Sequence, residues 1–223
     1  MPHTTPKGVI FDMDGLLLDT EQLYFDAFRR TLTALDLPQD DALFQSLVGT
    51  NNTLGNQLLT AGLAGRVTLE AFNVIWDADI AQEIAKGIPV KPGVRSLALA
   101  LQDASIPYII ATSTRTAKAH KHLDQSGIAD LFGDVVGGDQ VSASKPAPDI
   151  YLLAATRLGL DPATCAAFED SENGVRAAHA AGMITVQVPD TVPPTDELRA
   201  LGHHIAPDLL SGARHIGLRP AAC

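Results

Sequence analysis

The feature that most constrains the fold is a series of short, continuous apolar runs spread along the chain. Such runs, without alternation of polar and apolar residues, are typical of strands buried on both faces of a sheet. They are Gly8–Phe11, Pro107–Ala111, Asp134–Val136, Cys165–Phe168 and Ile184–Val188. Helical patterns separate the later runs, at Val94–Ala104, Ala117–Ser126, Pro148–Leu158 and Asn173–Ala181. This alternation predicts an α/β fold, a Rossmann-like, doubly wound parallel sheet.

The stretch from residue 20 to about residue 88 departs from this alternation. Apolar residues recur there at helical spacing, and no run predicts a strand. The helical patterns are Leu23–Leu35, Asp41–Val48, Leu54–Ala61 and Leu69–Lys86. The Pro- and Gly-containing segment Lys86–Gly93 follows and suits a linker. We therefore expect an α-helical domain at residues 18–91, inserted into an α/β core formed by residues 1–17 and 92–223.

The overall composition excludes several classes of protein. Hydrophobic residues make up 46% of the chain and charged residues 19%, which excludes global disorder. The net charge of -10 argues against a nucleic-acid partner, because no basic stripe offsets it. No apolar run approaches the length of a membrane span, and the first residues lack the pattern of a secretory signal. We expect a cytoplasmic protein without membrane or nucleic-acid partners.

Polar residues follow the predicted strands at the edge where parallel sheets bind ligands. They are Asp12 and Asp14, then Thr112 and Ser113, then Lys145 in the sequence SASKPAPD, and finally Glu169 and Asp170. Taken singly, each has an ordinary explanation as a turn, a cap or a solvated side chain. The histidines, His120 and His122 among them, are expected on the surface. The polar strand ends, however, occur together in the order that one phosphate site requires.

The chemistry of this set favours phosphoryl transfer with a divalent cation. Carboxylates that converge on one point repel one another unless a cation binds, and oxygen-only ligands suit Mg²⁺. Lys145 and Thr112 are donors suited to a phosphoryl group, whose transfer depends on positioning and charge neutralisation. A carboxylate can also act as the nucleophile and form an aspartyl-phosphate. In the pair Asp12 and Asp14, we expect one aspartate to attack and the other to handle the proton.

Four motifs, FDMDG, ATST, SKPAPD and FEDSENG, together resemble the motifs of the haloacid dehalogenase superfamily of phosphohydrolases. The resemblance is to the branch with a small helical cap, which includes β-phosphoglucomutase-like and phosphoglycolate-phosphatase-like enzymes. It spans nearly the whole core, whereas the cap matches only in position and helical character. It implies a Mg²⁺-dependent phosphatase, a phosphoric monoester hydrolase that acts on a small phosphorylated metabolite of the sugar phosphate or phosphoglycolate type. The expected intermediate is an aspartyl-phosphate.

The resemblance also implies roles for individual residues. Asp12 is the expected nucleophile and Asp14 the expected general acid/base. Thr112 and Ser113 are expected to bind the phosphate, and Lys145 to offset charge between the phosphate and Asp12. The implied metal ligands are Asp12, the backbone carbonyl of Asp14, Asp170 and, either directly or as an orienting group, Glu169.

Particular residues argue against two alternative functions, of which the first stays open. A sugar-phosphate mutase of the β-phosphoglucomutase type is the alternative enzyme. Against it, this chain has Tyr24 where those mutases carry a histidine, and Asn51 and Asn52 where they carry a cap arginine. The two asparagines are the residues we expect to select the substrate. A phosphorylated receiver module is disfavoured, because receivers lack both the second aspartate, here Asp14, and an inserted cap.

Overall fold

The computed structural model describes residues 5–48, 50, 52–190 and 192–219, with only the backbone of Asn52 and Thr53. Its centre is a six-stranded sheet in which every neighbouring pair of strands is parallel. The strands are β1 (Gly8–Phe11), β2 (Tyr108–Thr112), β3 (Val135–Gly137), β4 (Cys165–Glu169), β5 (Ile184–Gln187) and β6 (His204–Ile205). Their order is β3-β2-β1-β4-β5-β6, so the chain reverses direction across the sheet beside β1. The predicted fold class is confirmed.

Helices cover both faces of this sheet. They are α5 (Val94–Asp103), α6 (Thr116–Ser126), α7 (Asp149–Leu158), α8 (Glu172–Ala180), α9 (Asp196–Arg199) and α10 (Leu209–His215). On one face, Ile10 of β1 belongs to a buried cluster with Tyr151 of α7 and Ala177 of α8. On the other face, the rings of Phe11 and Phe168 stack with their centroids 5.5 Å apart. Burial of successive β1 residues on opposite faces explains why the strand sequence is apolar throughout.

The structure adds elements that the sequence patterns did not predict. The two-residue strand β6 pairs with β5 at the sheet edge, and α9 and α10 follow the predicted elements along the chain. A two-residue strand is too short to produce a recognisable period. In addition, β2 and β4 each extend one residue beyond their predicted ends, so Thr112 and Glu169 are the last residues of strands. No helix in the described part of the chain is both long and apolar enough to cross a membrane.

Residues Thr20–Ile88 form a compact helical unit of their own. Its helices are α1 (Thr20–Ala34), α2 (Asp41–Leu47), α3 (Asn52–Leu63) and α4 (Leu69–Ala85). Phe28 lies at the centre of its core, with ring centroids 5.5 Å from Phe44, 5.6 Å from Phe72 and 5.7 Å from Trp76. The segment in which the sequence predicted helices and no strand therefore folds around a hydrophobic core of its own.

The boundaries of this unit differ from those expected at residues 18 and 91. The α/β unit comprises residues 1–19 and 89–223. Leu18 forms an antiparallel bridge with Val90, and the backbone N–H of Asp19 donates to the carbonyl of Pro89 at 2.9 Å. The N–H of Lys91 donates to the carbonyl of Leu17, also at 2.9 Å. These backbone contacts hold both connecting segments in the α/β unit. The helical unit therefore begins at residue 20 rather than 18 and ends at residue 88 rather than 91.

Candidate active site

The strand order brings three polar strand ends to one edge of the sheet. The central strand β1 lies between β2 and β4, so Asp12 after β1 is flanked by Thr112 of β2 and by Glu169 of β4. All three side chains are buried. The position is the reversal point of a doubly wound sheet, where such folds bind their ligands.

A buried lysine joins two of these carboxylates. Nζ of Lys145 donates to Oδ1 of Asp12 at 2.5 Å, to Oε1 of Glu169 at 2.6 Å and to the carbonyl of Ala111 at 3.1 Å. The Lys145 side chain is only 5% exposed. Burial alone would lower the pKa of Lys145, but the charges of Asp12 and Glu169 outweigh burial and raise it. Lys145 is therefore held as a cation between two acids.

The pKa of Asp12 is raised above its ordinary range. Burial is the largest cause and is opposed by Lys145, while the nearby carboxylate of Glu169 raises the pKa further. One ammonium thus does not neutralise the acids around it. A second cation at this point would favour the charged form of Asp12.

Three buried acids form a group that fits a metal ion. Carboxylate oxygens of Asp12, Glu169 and Asp170 all lie within 4.8 Å of one another. Gly15, at φ +83°, approaches this group so closely that a Cβ there would overlap Oδ2 of Asp170. An all-oxygen, acid-rich set of this kind suits a hard cation such as Mg²⁺.

Glu169 is held by three protein donors in addition to its place in that group. Its Oε1 accepts from Lys145 and from the hydroxyl of Tyr151, and its Oε2 accepts from the hydroxyl of Ser171 at 3.1 Å. Nζ of Lys145 also lies 5.1 Å from the centroid of the Tyr151 ring. Both oxygens of Glu169 thus have fixed orientations.

The second aspartate of the first motif lies against β2 and the loop that follows it. Oδ2 of Asp14 accepts from the hydroxyl of Thr114 at 2.7 Å and from that of Thr112 at 3.3 Å. Nδ1 of His122 lies 3.8 Å from Oδ1 of the same carboxylate. The structure therefore brings Asp14 close to Thr112, Thr114 and His122.

The remaining predicted site residues are Ser113, Asn51 and Asn52. Ser113 is exposed and has no side-chain hydrogen bond among those found in the described residues. Asn51 lies outside the described residues, and of Asn52 only the backbone is described, as the first residue of α3. Substrate selection by these two asparagines stays a prediction.

Three residues of the site were not predicted from the sequence. Tyr151 follows the lysine motif and faces inward from the first turn of α7. Thr114 closes the second motif, ATST, in which only Thr112 and Ser113 were expected to have a role. The expectation that His122 lies on the surface is wrong, because the residue is 2% exposed. Its spacing three residues after the buried Ala119 was the available signal.

A buried amide also supports the backbone at Asp170. Nε2 of Gln187 donates to the carbonyl of Asp170 at 3.2 Å, and its Oε1 lies 2.8 Å from Nε2 of His203. Burial is the largest cause of a lowered pKa at His203. The loop that carries Asp170 is thereby fixed from behind by the end of β5.

Comparison with known proteins identifies the family. Residues 6–182 match the model of the haloacid dehalogenase-like hydrolases. The chain is 36% identical over 177 residues to the phosphorylated carbohydrates phosphatase of Thermotoga maritima, covering 79% of this chain and 82% of that protein. It is 33% identical over 189 residues to the β-phosphoglucomutase of Bacillus subtilis, covering 82% and 83%. The crystal structure of a HAD family hydrolase from Deinococcus radiodurans with bound phosphate and sodium is similar at a TM-score of 0.82 and 26% identity, covering 98% of this chain and 100% of that one.

The acidic strand ends on a doubly wound sheet thus belong to a hydrolase. The chain is a member of the haloacid dehalogenase-like hydrolase family, as its four motifs predicted. The predicted enzyme class, a phosphoric monoester hydrolase, is confirmed as well.

Proposed function

We propose that this hydrolase is a Mg²⁺-dependent phosphatase that acts on a small phosphorylated metabolite, of the sugar phosphate or phosphoglycolate type, through an aspartyl-phosphate on Asp12. The observation that carries the proposal is the buried side chain of Lys145, which donates to both Asp12 and Glu169. A relative that is 36% identical is a phosphatase of phosphorylated carbohydrates, which supports the substrate class.

In the first step, a carboxylate oxygen of Asp12 attacks phosphorus. The new oxygen–phosphorus bond forms as the ester bond to the leaving oxygen breaks, and Asp14 gives its proton to that oxygen. Lys145 orients Asp12 through its 2.5 Å hydrogen bond and offsets the charge of the transferring group. The hydroxyl of Thr112, at the end of β2, would bind the phosphoryl oxygens.

In the second step, water attacks the phosphorus of the aspartyl-phosphate. Asp14, now a carboxylate, takes the proton of that water, the bond to Asp12 breaks, and inorganic phosphate leaves. Both aspartates return to their starting states. Asp14 therefore acts as the general acid in the first step and as the general base in the second.

Mg²⁺ would be held by Asp12, Asp170 and the backbone carbonyl of Asp14. When bound, it neutralises charge on the phosphoryl group and on the surrounding acids. The three buried carboxylates, against the single positive charge of Lys145, are the observation that fits a divalent cation. We assign Glu169 the orienting role, because its oxygens already accept from Lys145, Tyr151 and Ser171.

We also propose that the helical unit is a cap that selects the substrate, through Asn51 and Asn52. This rests on the family resemblance and on the separate core of the unit.

A phosphate-release assay on a panel of small phosphate esters tests the proposal. We expect activity with Mg²⁺, loss of activity in excess chelator, and less than about 1% of the wild-type rate for Asp12→Asn, which keeps the shape but removes the nucleophile. The surface variant Asp103→Asn is the matched control. Mass spectrometry of the acid-quenched enzyme should find a phosphoryl group on Asp12. Appreciable turnover by Asp12→Asn would contradict the scheme.

The 33% identity to a β-phosphoglucomutase favours the mutase alternative. The same assay decides between the two with β-glucose 1-phosphate as substrate. A phosphatase releases inorganic phosphate, whereas a mutase forms glucose 6-phosphate. We expect phosphate, because this chain has Tyr24 where the mutases carry a histidine, and Asn51 and Asn52 where they carry a cap arginine.

A further inference from the structure

His122 is a buried polar residue next to the site that the proposed mechanism leaves without a role. It lies on the inner face of α6 with Ala119 and Leu123, and it is 2% exposed. Its Nδ1 is buried without a hydrogen-bond partner among the described residues. Leaving a buried polar group unsatisfied costs about 1–3 kcal/mol, so a partner is expected in some state of the enzyme.

The geometry points to Asp14 as that partner. Nδ1 of His122 lies 3.8 Å from Oδ1 of Asp14, while the other oxygen of the carboxylate accepts from Thr114 at 2.7 Å. A hydrogen bond between nitrogen and oxygen needs about 3.2 Å or less. The torsion that turns an aspartate carboxylate has a broad energy minimum. A small rotation about the Thr114 contact therefore brings Oδ1 within reach of Nδ1.

Substrate binding supplies a reason for this rotation. In the structure, the hydroxyl of Thr112 donates to Asp14 at 3.3 Å, yet the proposed mechanism uses that hydroxyl for the phosphate. Once phosphate takes the hydroxyl of Thr112, Asp14 keeps Thr114 on one oxygen and His122 on the other. These two donors then determine the direction in which the carboxyl group faces.

We propose that His122 is a positioning residue for Asp14. With hydrogen on Nδ1, it donates to Oδ1 and leaves the other oxygen to exchange a proton with the leaving group and then with water. The inference rests on the proposed function, because it matters only if Asp14 is the acid and base. It gives α6, which carries no motif residue, a part in setting the rate.

The test compares leaving groups rather than total activity. p-Nitrophenyl phosphate has a good leaving group that needs little protonation, whereas β-glycerol phosphate needs a full proton from Asp14. The ratio of kcat/KM for the two esters does not depend on how much of a variant is folded, because both substrates report the same folded molecules. Asp14→Asn, measured first, should lose about 10²–10⁴-fold on β-glycerol phosphate and much less on p-nitrophenyl phosphate.

Two variants without the donor, His122→Leu and His122→Phe, differ in shape, so one of them should fold. Each should shift the ratio in the same direction as Asp14→Asn, by about tenfold, a loss of about 1.4 kcal/mol in transition-state stabilisation. His122→Asn keeps an N–H near the position of Nδ1 and should restore the ratio to within about threefold of the wild-type value, a difference below 1.4 kcal/mol. His120→Leu, a change on the exposed side of the same helix, should leave it unchanged.

The double variant Asp14→Asn/His122→Leu should show no further shift beyond Asp14→Asn, because residues that act as a unit are not additive. An equal fall on both esters in His122→Leu would mean that His122 only supports packing, and so would a full additional shift in the double variant. If Asp14→Asn itself shows no preference between the esters, the proposed acid role fails and this inference fails with it. If Asp14→Asn shows the preference and the donor-free His122 variants do not, only the inference about His122 is wrong.

Discussion

Replacing Lys145 with methionine should expose how much the fold depends on one buried charge. Lys145 donates to Asp12 at 2.5 Å, to Glu169 at 2.6 Å and to the carbonyl of Ala111 at 3.1 Å. Methionine has nearly the same length but no charge and no donor. The change therefore keeps the packing and leaves two buried carboxylates without their cation.

The expected loss follows from the burial of this group. The side chains of Lys145 and Glu169 are 5% and 0% exposed, so water cannot replace the lost ammonium. Removing one partner of a buried ion pair lowers the free energy of unfolding by about 3–5 kcal/mol. For a chain of this length, about 2–4 °C in Tm per kcal/mol gives a fall of about 6–20 °C.

The loss should also depend on pH, with a sign set by the raised pKa of Asp12. Its folded pKa, raised chiefly by burial, lies above the unfolded value, so the folded state is favoured where the carboxyl is protonated. Stability linked to this group is fully present below the unfolded pKa, near 3.8, and is lost as pH rises through the folded pKa. Without Lys145 the carboxyl is harder to ionise, so the deficit of Lys145→Met should be larger at pH 8 than at pH 5.

Thermal unfolding of the full chain in chelator, at both pH values, measures this deficit. Lys86→Met is the matched control, because Lys86 pairs with Glu83 at 2.7 Å but is 68% exposed, and such surface pairs contribute about 0–1 kcal/mol. The double variant Lys145→Met/Glu169→Gln should recover part of the loss. If Lys145→Met unfolds within 2–3 °C (roughly 1 kcal/mol) of wild type at pH 8, the argument from buried charge is refuted.

Three further predictions concern the glycines near the acids and the helical unit. Gly174→Ala in α8 should lower the unfolding free energy by about 1–3 kcal/mol, because its Cβ would overlap the Glu169 carboxylate; Gly133→Ala, with nothing within 4 Å, is the control, and equal Tm values for the two would contradict the prediction. Gly15→Ala combines a strained φ of +83°, at about 1–2 kcal/mol, with displacement of Asp170, so it should raise the Mg²⁺ concentration for half-maximal phosphatase activity. Replacing Asn51 and Asn52 with alanine should reorder the substrates in the phosphate-ester panel more than it changes the rate with p-nitrophenyl phosphate; if the order holds and all rates fall together, these residues do not select the substrate.

The sequence was most informative where a functional residue directly follows a buried strand. The run Gly8–Phe11 is apolar because β1 is covered on both faces, and a carboxylate directly after such a run is costly unless something binds it. That contrast located Asp12, and the same contrast located Glu169 at the end of β4. The parallel arrangement then predicted that these ends meet.

The sequence was less informative where a side chain has a role only through packing between elements. His122 and Tyr151 reach the site from helices, so their contacts depend on how α6 and α7 turn against the sheet. Both had a helical-periodicity signal, but a histidine or tyrosine on an inner face is compatible with many environments. Strand β6 was not predicted for another reason, because two residues are too few to show a periodic pattern.

The two chain segments that lead into and out of the helical unit are hydrogen-bonded to each other, and this determines how freely the length of the unit can vary. The backbone N–H of Asp19 donates to Pro89 at 2.9 Å, and Leu18 bridges Val90, so everything between them is a loop whose ends are already joined within the α/β unit. The entropy of closing a loop grows slowly, at about 0.6 kcal/mol for each doubling of its length. An insertion several times shorter or longer would therefore change the free energy of folding of the sheet by only about 1–2 kcal/mol. The sheet can accept insertions of very different size at this point, each with a core of its own, while the register of β1 between β2 and β4 stays as it is.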